Sequence, residues 1–165
     1  MVNQLYFICP TDGIESKING KFDHENYFVS SVGLSFSFNS EFLDELFKLI
    51  IEKNIDRVTF VLSDQNKIVT EIIDGKDYSI IQELNKSKSQ VHKEFQAKKM
   101  HWSSDDLILP IIAKFLESRA QDLKSKLIGW SLPNIKVETK IYRSNTNQFS
   151  NLPSGLFERE AYNLN

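Results

Sequence analysis

The sequence contains a single cysteine, Cys9, only four prolines and six glycines in 165 residues, and no apolar run as long as a bilayer span. One cysteine excludes an intramolecular disulfide and a zinc site built from several thiolates, although it can still serve as one nucleophile or one ligand. Met1 to Tyr6 have neither a basic n-region nor a small-residue cleavage site. We therefore expect a cytoplasmic protein that does not bind a membrane.

Neither sign of charge is in excess. Twenty basic and 22 acidic side chains give a formal net charge of -2, so the overall field does not attract nucleic acid. The lysine-rich stretch Lys86 to Lys99, with Phe95 and Trp102 close by, is compatible with a nucleic-acid strip. Two acids in or beside this stretch, Glu83 and Glu94, reduce its positive charge, and the pI of the chain is acidic. We therefore interpret the stretch as a solvated helix face and expect no nucleic-acid partner.

The composition is that of a globular domain. Hydrophobic residues make up 41% and charged residues 25%, which excludes intrinsic disorder and collagen-like sequence. The length predicts a single domain, residues 1–152, followed by a tail, 153–165, that is expected to be mobile. The excess of lysine over arginine suits an AT-rich bacterial genome.

Short apolar runs alternate with helical patterns in the first part of the chain. Leu5 to Cys9, Tyr27 to Val29 and Arg57 to Leu62 are typical of strands buried on both faces. A helix between the second and third strands is predicted to begin with Ser40 as its N-cap. Such alternation predicts a parallel sheet with helices on each side.

The second part of the chain is mainly helical in pattern. Helices are predicted from Lys67 to Ile128, with breaks near Asp74 and near Trp102-Ser103. The alternating segment Ile135 to Tyr142 predicts an edge strand with one face in water. The predicted fold is therefore a three-layer α/β domain around a mostly parallel sheet of about four strands.

Two polar loops follow the first and third strands. In open parallel sheets, ligands bind beyond the carboxyl ends of the strands. The first and third strands along the chain are commonly neighbours in such sheets. We therefore expect the two loops to share a pocket that binds an unknown small molecule. The candidate pocket residues are Cys9, Thr11, Asp12, Ser31, Ser63, Asp64 and Asn66.

These segments resemble a known family. Phe7 to Asp12, Asn26 to Gly33, and the helix from Phe42 to Lys53 leading into Arg57 to Asn66 are similar in order and spacing to the β-class carbonic anhydrases. Ile135 to Leu152 resembles the last strand of that family and the hairpin beyond it. The resemblance implies a β-carbonic-anhydrase-like fold.

The metal ligands of that family are mostly replaced in this chain. The family binds catalytic zinc with a cysteine after the first strand and a His-x-x-Cys after the third. Cys9 matches the first ligand, whereas Ser63 and Asn66 stand at the positions of the histidine and the second cysteine. A hydroxyl and a carboxamide do not supply the soft donors that hold zinc with a vacant position. Without zinc, no bound water is activated near neutral pH.

The acid–arginine pair of the family is altered as well. Thr11 occupies the acid position, Asp12 is displaced by one residue, and Gly13 replaces the arginine. The family's arginine and asparagine after strand two become Ser30 and Ser31. The resemblance therefore implies a non-catalytic relative, without catalytic residues or zinc, that binds a small molecule or a partner.

An enzyme is the alternative hypothesis. It would use either zinc in an altered site, with carbonic anhydrase activity, or thiol chemistry at Cys9 with Asp12 or Asp64 as proton acceptor. In the structural interpretation, Cys9 is a small buried hydrophobe and Asp12 forms an Asx turn or an N-cap for residues 13–16. A homodimer is left open, although this chain enters its first strand without the preceding helices that help family members to dimerise.

Overall fold

The computed structural model describes residues 3–78, 81–98, 101 and 103–152. Its strands are β1 (Asn3–Ile8), β2 (Glu25–Ser30), β3 (Ile55–Ser63), β4 (Lys136–Arg143) and β5 (Gln148–Asn151). Its helices are α1 (Glu15–Lys21), α2 (Ser40–Glu52), α3 (Lys67–Ile73), α4 (Gln82–Ala97) and α5 (Ser104–Gly129). The predicted tail, 153–165, and Trp102 lie outside the described residues. Among the helices described, none is both long and apolar enough to cross a membrane.

The strands form one sheet in the order β2-β1-β3-β4-β5. The first four are parallel, which confirms the mostly parallel α/β sheet, but there are five strands rather than four. β5 runs antiparallel to β4, with Tyr142 paired to Phe149 across the hairpin. The prediction that Ile135–Tyr142 is an edge strand is wrong, because the hairpin places β5 on its outer side.

The two faces of the sheet are covered unequally. Successive strand residues point to opposite faces, so β1 sends Leu5 and Phe7 to one face and Tyr6 and Ile8 to the other. The buried residues of the first face form one hydrophobic cluster with those of α2, α3, α4 and α5. The second is covered by a small cluster that includes Ile18 of α1. The three layers are therefore present, with most of the core on one side.

Helix starts are set by local side-chain caps. Asn39 Oδ1 accepts a hydrogen bond of 2.9 Å from the Phe42 backbone N–H, so the N-cap of α2 is Asn39 and not Ser40 as predicted. Ser103 caps α5 in a reciprocal box with Asp106.

Candidate functional site

The loops after β1 and β3 meet at one end of the sheet. β1 and β3 are neighbours in parallel register, with Ile8 opposite Val61, so their carboxyl ends lie side by side. The first loop is a short 3-10 turn, Pro10–Asp12, that follows Cys9. The second loop leads from Ser63 into α3. The expectation that these strands are adjacent is therefore confirmed.

Asp12 links the two loops. Its Oδ2 accepts a hydrogen bond of 2.8 Å from the Ser63 backbone N–H, and its Oδ1 accepts one of 2.8 Å from Asn66 Nδ2. The prediction that Asp12 caps residues 13–16 is wrong, since the N-cap of α1 is Ile14 and has no side-chain cap. The Asp12 carboxylate instead links the first loop to two residues that lie more than fifty positions later in the chain.

Burial raises the pKa of the Asp12 carboxyl above its ordinary value, chiefly because desolvation penalises the charged form. The hydrogen bonds from Ser63 and Asn66 oppose that shift, whereas the nearby charges of Glu15 and Asp64 add to it. The loop contact therefore holds an acid that is harder to ionise than an ordinary aspartate.

Asn66 is completely buried and uses both ends of its carboxamide. Its Oδ1 accepts a hydrogen bond of 3.0 Å from the Val69 backbone N–H and so caps α3, while its Nδ2 donates to Asp12. The same Nδ2 lies 3.5 Å from Thr11 Oγ1. Asn66 thus holds a helix start and a loop together.

Cys9 is also completely buried. The Gly33 backbone N–H donates to its Sγ at 3.1 Å, and Thr11 Oγ1 lies at hydrogen-bonding distance, 3.0 Å, from the same sulfur. Apart from these two polar contacts, the thiol belongs to the main hydrophobic cluster, together with Leu5 and Phe7. Its complete burial there supports the structural interpretation of Cys9.

Gly33 also belongs to this cluster, although the sequence pattern did not indicate it as a site residue. Its φ of +58° favours glycine, and a Cβ built on it would lie 2.5 Å from Ile81 Cδ1 and 3.2 Å from Ile68 Cγ2. Its position just after the second strand was the only signal in the sequence. Glycine lets the backbone pass between the sulfur of Cys9 and the side chain of Ile81.

Two of the predicted pocket residues have their hydrogen bonds elsewhere. Asp64 Oδ1 accepts from the backbone N–H and the hydroxyl of Ser144, at 3.1 and 2.8 Å, in the β4–β5 connection. Ser31 Oγ lies 2.9 Å from Ser35 Oγ. Ser63 Oγ accepts from the Gln65 backbone N–H within its own loop. The connected cluster therefore consists of Cys9, Thr11, Asp12, Ser63, Asn66 and the unpredicted Gly33.

The donor set of this cluster does not fit a catalytic zinc ion. Cys9 is its one soft donor, and the amide oxygen of Asn66 and both oxygens of Asp12 already accept hydrogen bonds. Within residues 3–78, 81–98, 101 and 103–152, no three His, Cys, Asp or Glu side chains are grouped so that they could hold a metal ion. The cluster binds the two loops to each other.

Neither a protein-family model nor a curated protein sequence matches the chain. Solved structures do match. The β-carbonic anhydrase CafD of the filamentous fungus Aspergillus fumigatus is 12% identical, with a TM-score of 0.72, over 93% of this chain and 90% of that one.

Two further matches come from other organisms. One of two tetrameric β-carbonic anhydrases of Sordaria macrospora is 9% identical, with a TM-score of 0.70, over 92% of this chain and 80% of its own. The Coccomyxa β-carbonic anhydrase in complex with acetazolamide is 13% identical, with a TM-score of 0.67, over 92% and 72%. The fold of this chain is therefore that of the β-carbonic anhydrases.

Proposed function

We propose that this chain is a non-catalytic relative of the β-carbonic anhydrases, which keeps the scaffold without catalytic zinc and serves as a small-molecule-binding or interaction protein. The observation that carries the proposal is the Asp12–Asn66 contact of 2.8 Å, at the position where the resemblance implies a metal ligand. The carboxamide there is engaged in structural hydrogen bonds, and the hydroxyl of Ser63 is a weak donor to zinc.

Loss of the metal would remove the nucleophile of carbon dioxide hydration. Hydroxide forms near neutral pH in such enzymes only because zinc lowers the pKa of its bound water. The Asp12 carboxylate does not take over the role of the zinc-bound hydroxide, because both carboxylate oxygens accept hydrogen bonds from Ser63 and Asn66. We therefore assign the cluster a structural role.

Metal content and activity test the proposal together. The purified chain is incubated with zinc sulfate, dialysed and analysed for zinc, and its carbon dioxide hydration rate is measured beside that of CafD. We expect far less than stoichiometric zinc and a rate equal to that of buffer. Stoichiometric zinc with hydration activity that is lost in Cys9→Ala would overturn the proposal and support the alternative, an enzyme with an altered metal site.

We also propose that the chain forms a homodimer or a larger assembly. The Sordaria macrospora proteins with this fold are tetrameric, and β2 lies at an edge of the sheet. Light scattering on the eluted protein gives the mass in solution. The mass of a single chain, 19.1 kDa, at micromolar concentration would contradict this.

A further inference from the structure

A cavity of about 470 Å³ lies between the segment after β2 and the helices α4 and α5. Residues 34–38, the first turn of α4, and Phe115, Arg119 and Asp122 of α5 line it. Cavities of this size hold small molecules. We call it the Arg119 cavity. None of the seven predicted pocket residues lines this cavity, although its first lining residue, Leu34, directly follows Gly33.

Arg119 supplies a buried positive charge to this cavity. The residue is 6% exposed, its Nη2 donates a hydrogen bond of 2.5 Å to the Phe36 carbonyl, and its guanidinium carbon lies 4.4 Å from the centre of the Phe38 ring. Its Nε is buried and has no hydrogen-bond acceptor among the residues that the structure describes. Its Nη1 makes no hydrogen bond within the described residues, and this is the group that can donate to an acceptor bound in the cavity.

The start of α4 is a second feature that favours negative charge in the same cavity. The first backbone N–H of the helix ladder is that of Asn85, which donates to the Ile81 carbonyl at 3.2 Å, and the N-cap Ile81 offers no side-chain acceptor. The N–H groups of Gln82 and Glu83 precede that ladder, and both residues line the cavity. Helix N-termini of this kind bind anions.

Two acids at the cavity limit the charge of the ligand. Asp122 Oδ2 lies 3.9 Å from Arg119 Nη1, and Glu83, which also pairs with Lys86 at 3.6 Å, lines the α4 side. These carboxylates repel a dianion more strongly than a monoanion. The exposed wall is more polar than apolar, and its aromatic surface comes from the partly exposed Phe36 and Phe38, because Phe115 is completely buried.

We infer that the Arg119 cavity binds a small monocarboxylate with an apolar body, its carboxylate held between the Arg119 guanidinium and the N-terminus of α4. The apolar body packs against the aromatic side chains. This site is separate from the Cys9 cluster, so the inference holds whether or not the chain binds zinc.

Benzoate and its neutral isostere benzamide test the inference on the full chain. Binding is followed by NMR at the backbone amides of Gln82 and Glu83 and at the Arg119 Nε–H. We expect saturable shifts at these groups, with benzoate about tenfold tighter than benzamide because its hydrogen bonds are charge-assisted. Inorganic phosphate should bind more weakly than benzoate.

Variants with matched charge changes locate the site. Asp122→Asn removes a half-exposed acid of the cavity, and we expect benzoate to bind about twofold to fivefold more tightly. Glu117→Gln removes the same charge from an exposed position of α5 outside the lining and should leave the affinity unchanged. Arg119→Lys keeps the charge but loses the planar fork, and should weaken binding about tenfold.

Several results would overturn the inference. They are the absence of saturation with benzoate, equal affinity for benzamide, shifts confined to the exposed lysines of α4, or equal effects of Asp122→Asn and Glu117→Gln. The Asp122 and Glu117 pair decides the question even if Arg119→Lys does not fold, because both positions are at the surface. Zinc content has no bearing on these outcomes.

Discussion

At the scale of single residues, two side chains of the cluster between the loops accept hydrogen bonds from distant parts of the chain. Cys9 Sγ accepts from Gly33, and Asp12 accepts from Ser63 and Asn66. The sequence indicates that these residue types lie at strand ends, where polar groups meet. It does not indicate which donor each acceptor takes, because that depends on contacts more than twenty positions apart.

Burial of Cys9 predicts a slow thiol. In the folded protein we expect iodoacetamide to modify it at least about a hundredfold more slowly than in denaturant, because reaction requires opening of the structure. Ser37→Cys, at an exposed position, provides a fast internal reference thiol. Mass spectrometry over time gives both rates. Native-state modification of Cys9 as fast as that of residue 37 would contradict the structural assignment and favour thiol chemistry.

The raised pKa of Asp12 predicts a pH-dependent contribution to stability. Because folding raises this pKa above the ordinary 3.8, the protonated form is favoured in the folded state. The contribution is fully present below pH 3.8 and is lost as pH rises through the folded-state pKa. Asp12→Asn does not titrate, so the free energy of unfolding of the wild type minus that of the variant should fall with rising pH.

Urea unfolding of both proteins between about pH 3 and pH 7 measures this difference. A difference that instead increases with pH would mean that the hydrogen bonds from Ser63 and Asn66 outweigh desolvation. The pKa of Asp12 would then lie below its ordinary value.

At the scale of secondary-structure elements, the apolar runs predict β1, β2 and β3. The local pattern does not predict strand β5, because Gln148–Asn151 has little apolar character and is held by pairing with β4. Only the resemblance to the β-carbonic anhydrases indicates a hairpin there. The same pairing converts β4 into an inner strand. The local hydrophobic pattern therefore does not predict a strand that forms only because it pairs with a neighbouring strand.

The segment between β2 and α2 depends on a glycine at one position. Gly33→Ala should destabilise the protein by about 1–2 kcal/mol for its positive φ and by a further 1–3 kcal/mol, roughly, for crowding against Ile81 and Ile68. Gly13→Ala is the matched control, since Gly13 has the same φ of +58° and nothing within 4 Å of an added Cβ. Urea unfolding compares the two, and equal costs would show that the close approach is unimportant.

At the scale of the whole molecule, the chain shares a fold with β-carbonic anhydrases to which it is 9–13% identical. The order and spacing of strands and helices were enough to predict that fold. The Arg119 cavity was not predictable, because Arg119 is brought to the segment after β2 by a contact between residues 83 positions apart. Its sequence context is that of an ordinary helix.

Because the fold matches that of the β-carbonic anhydrases, introducing a histidine and a second cysteine beside Cys9 should create a metal site. We expect Ser63→His combined with Asn66→Cys to bind about one zinc ion per chain, with a rise in Tm on adding zinc. The metal-free variant should be destabilised by about 1–3 kcal/mol, because Asn66 caps α3 and donates to Asp12. Ser63→His alone, and the double variant with Cys9→Ala, are the controls. Undiminished zinc uptake after loss of Cys9 would show that the metal is held elsewhere.

The uneven covering of the sheet has a consequence for how the molecule opens. The side that carries Tyr6 and Ile8 is shielded by one seven-residue helix and a few aromatic rings, whereas the opposite side is shielded by four helices. Deuterium should therefore enter the backbone of α1 well before that of α5, through partial unfolding that leaves the larger layer intact. Exchange followed by mass spectrometry would reveal this order, and simultaneous labelling of both helices would indicate a single cooperative unit.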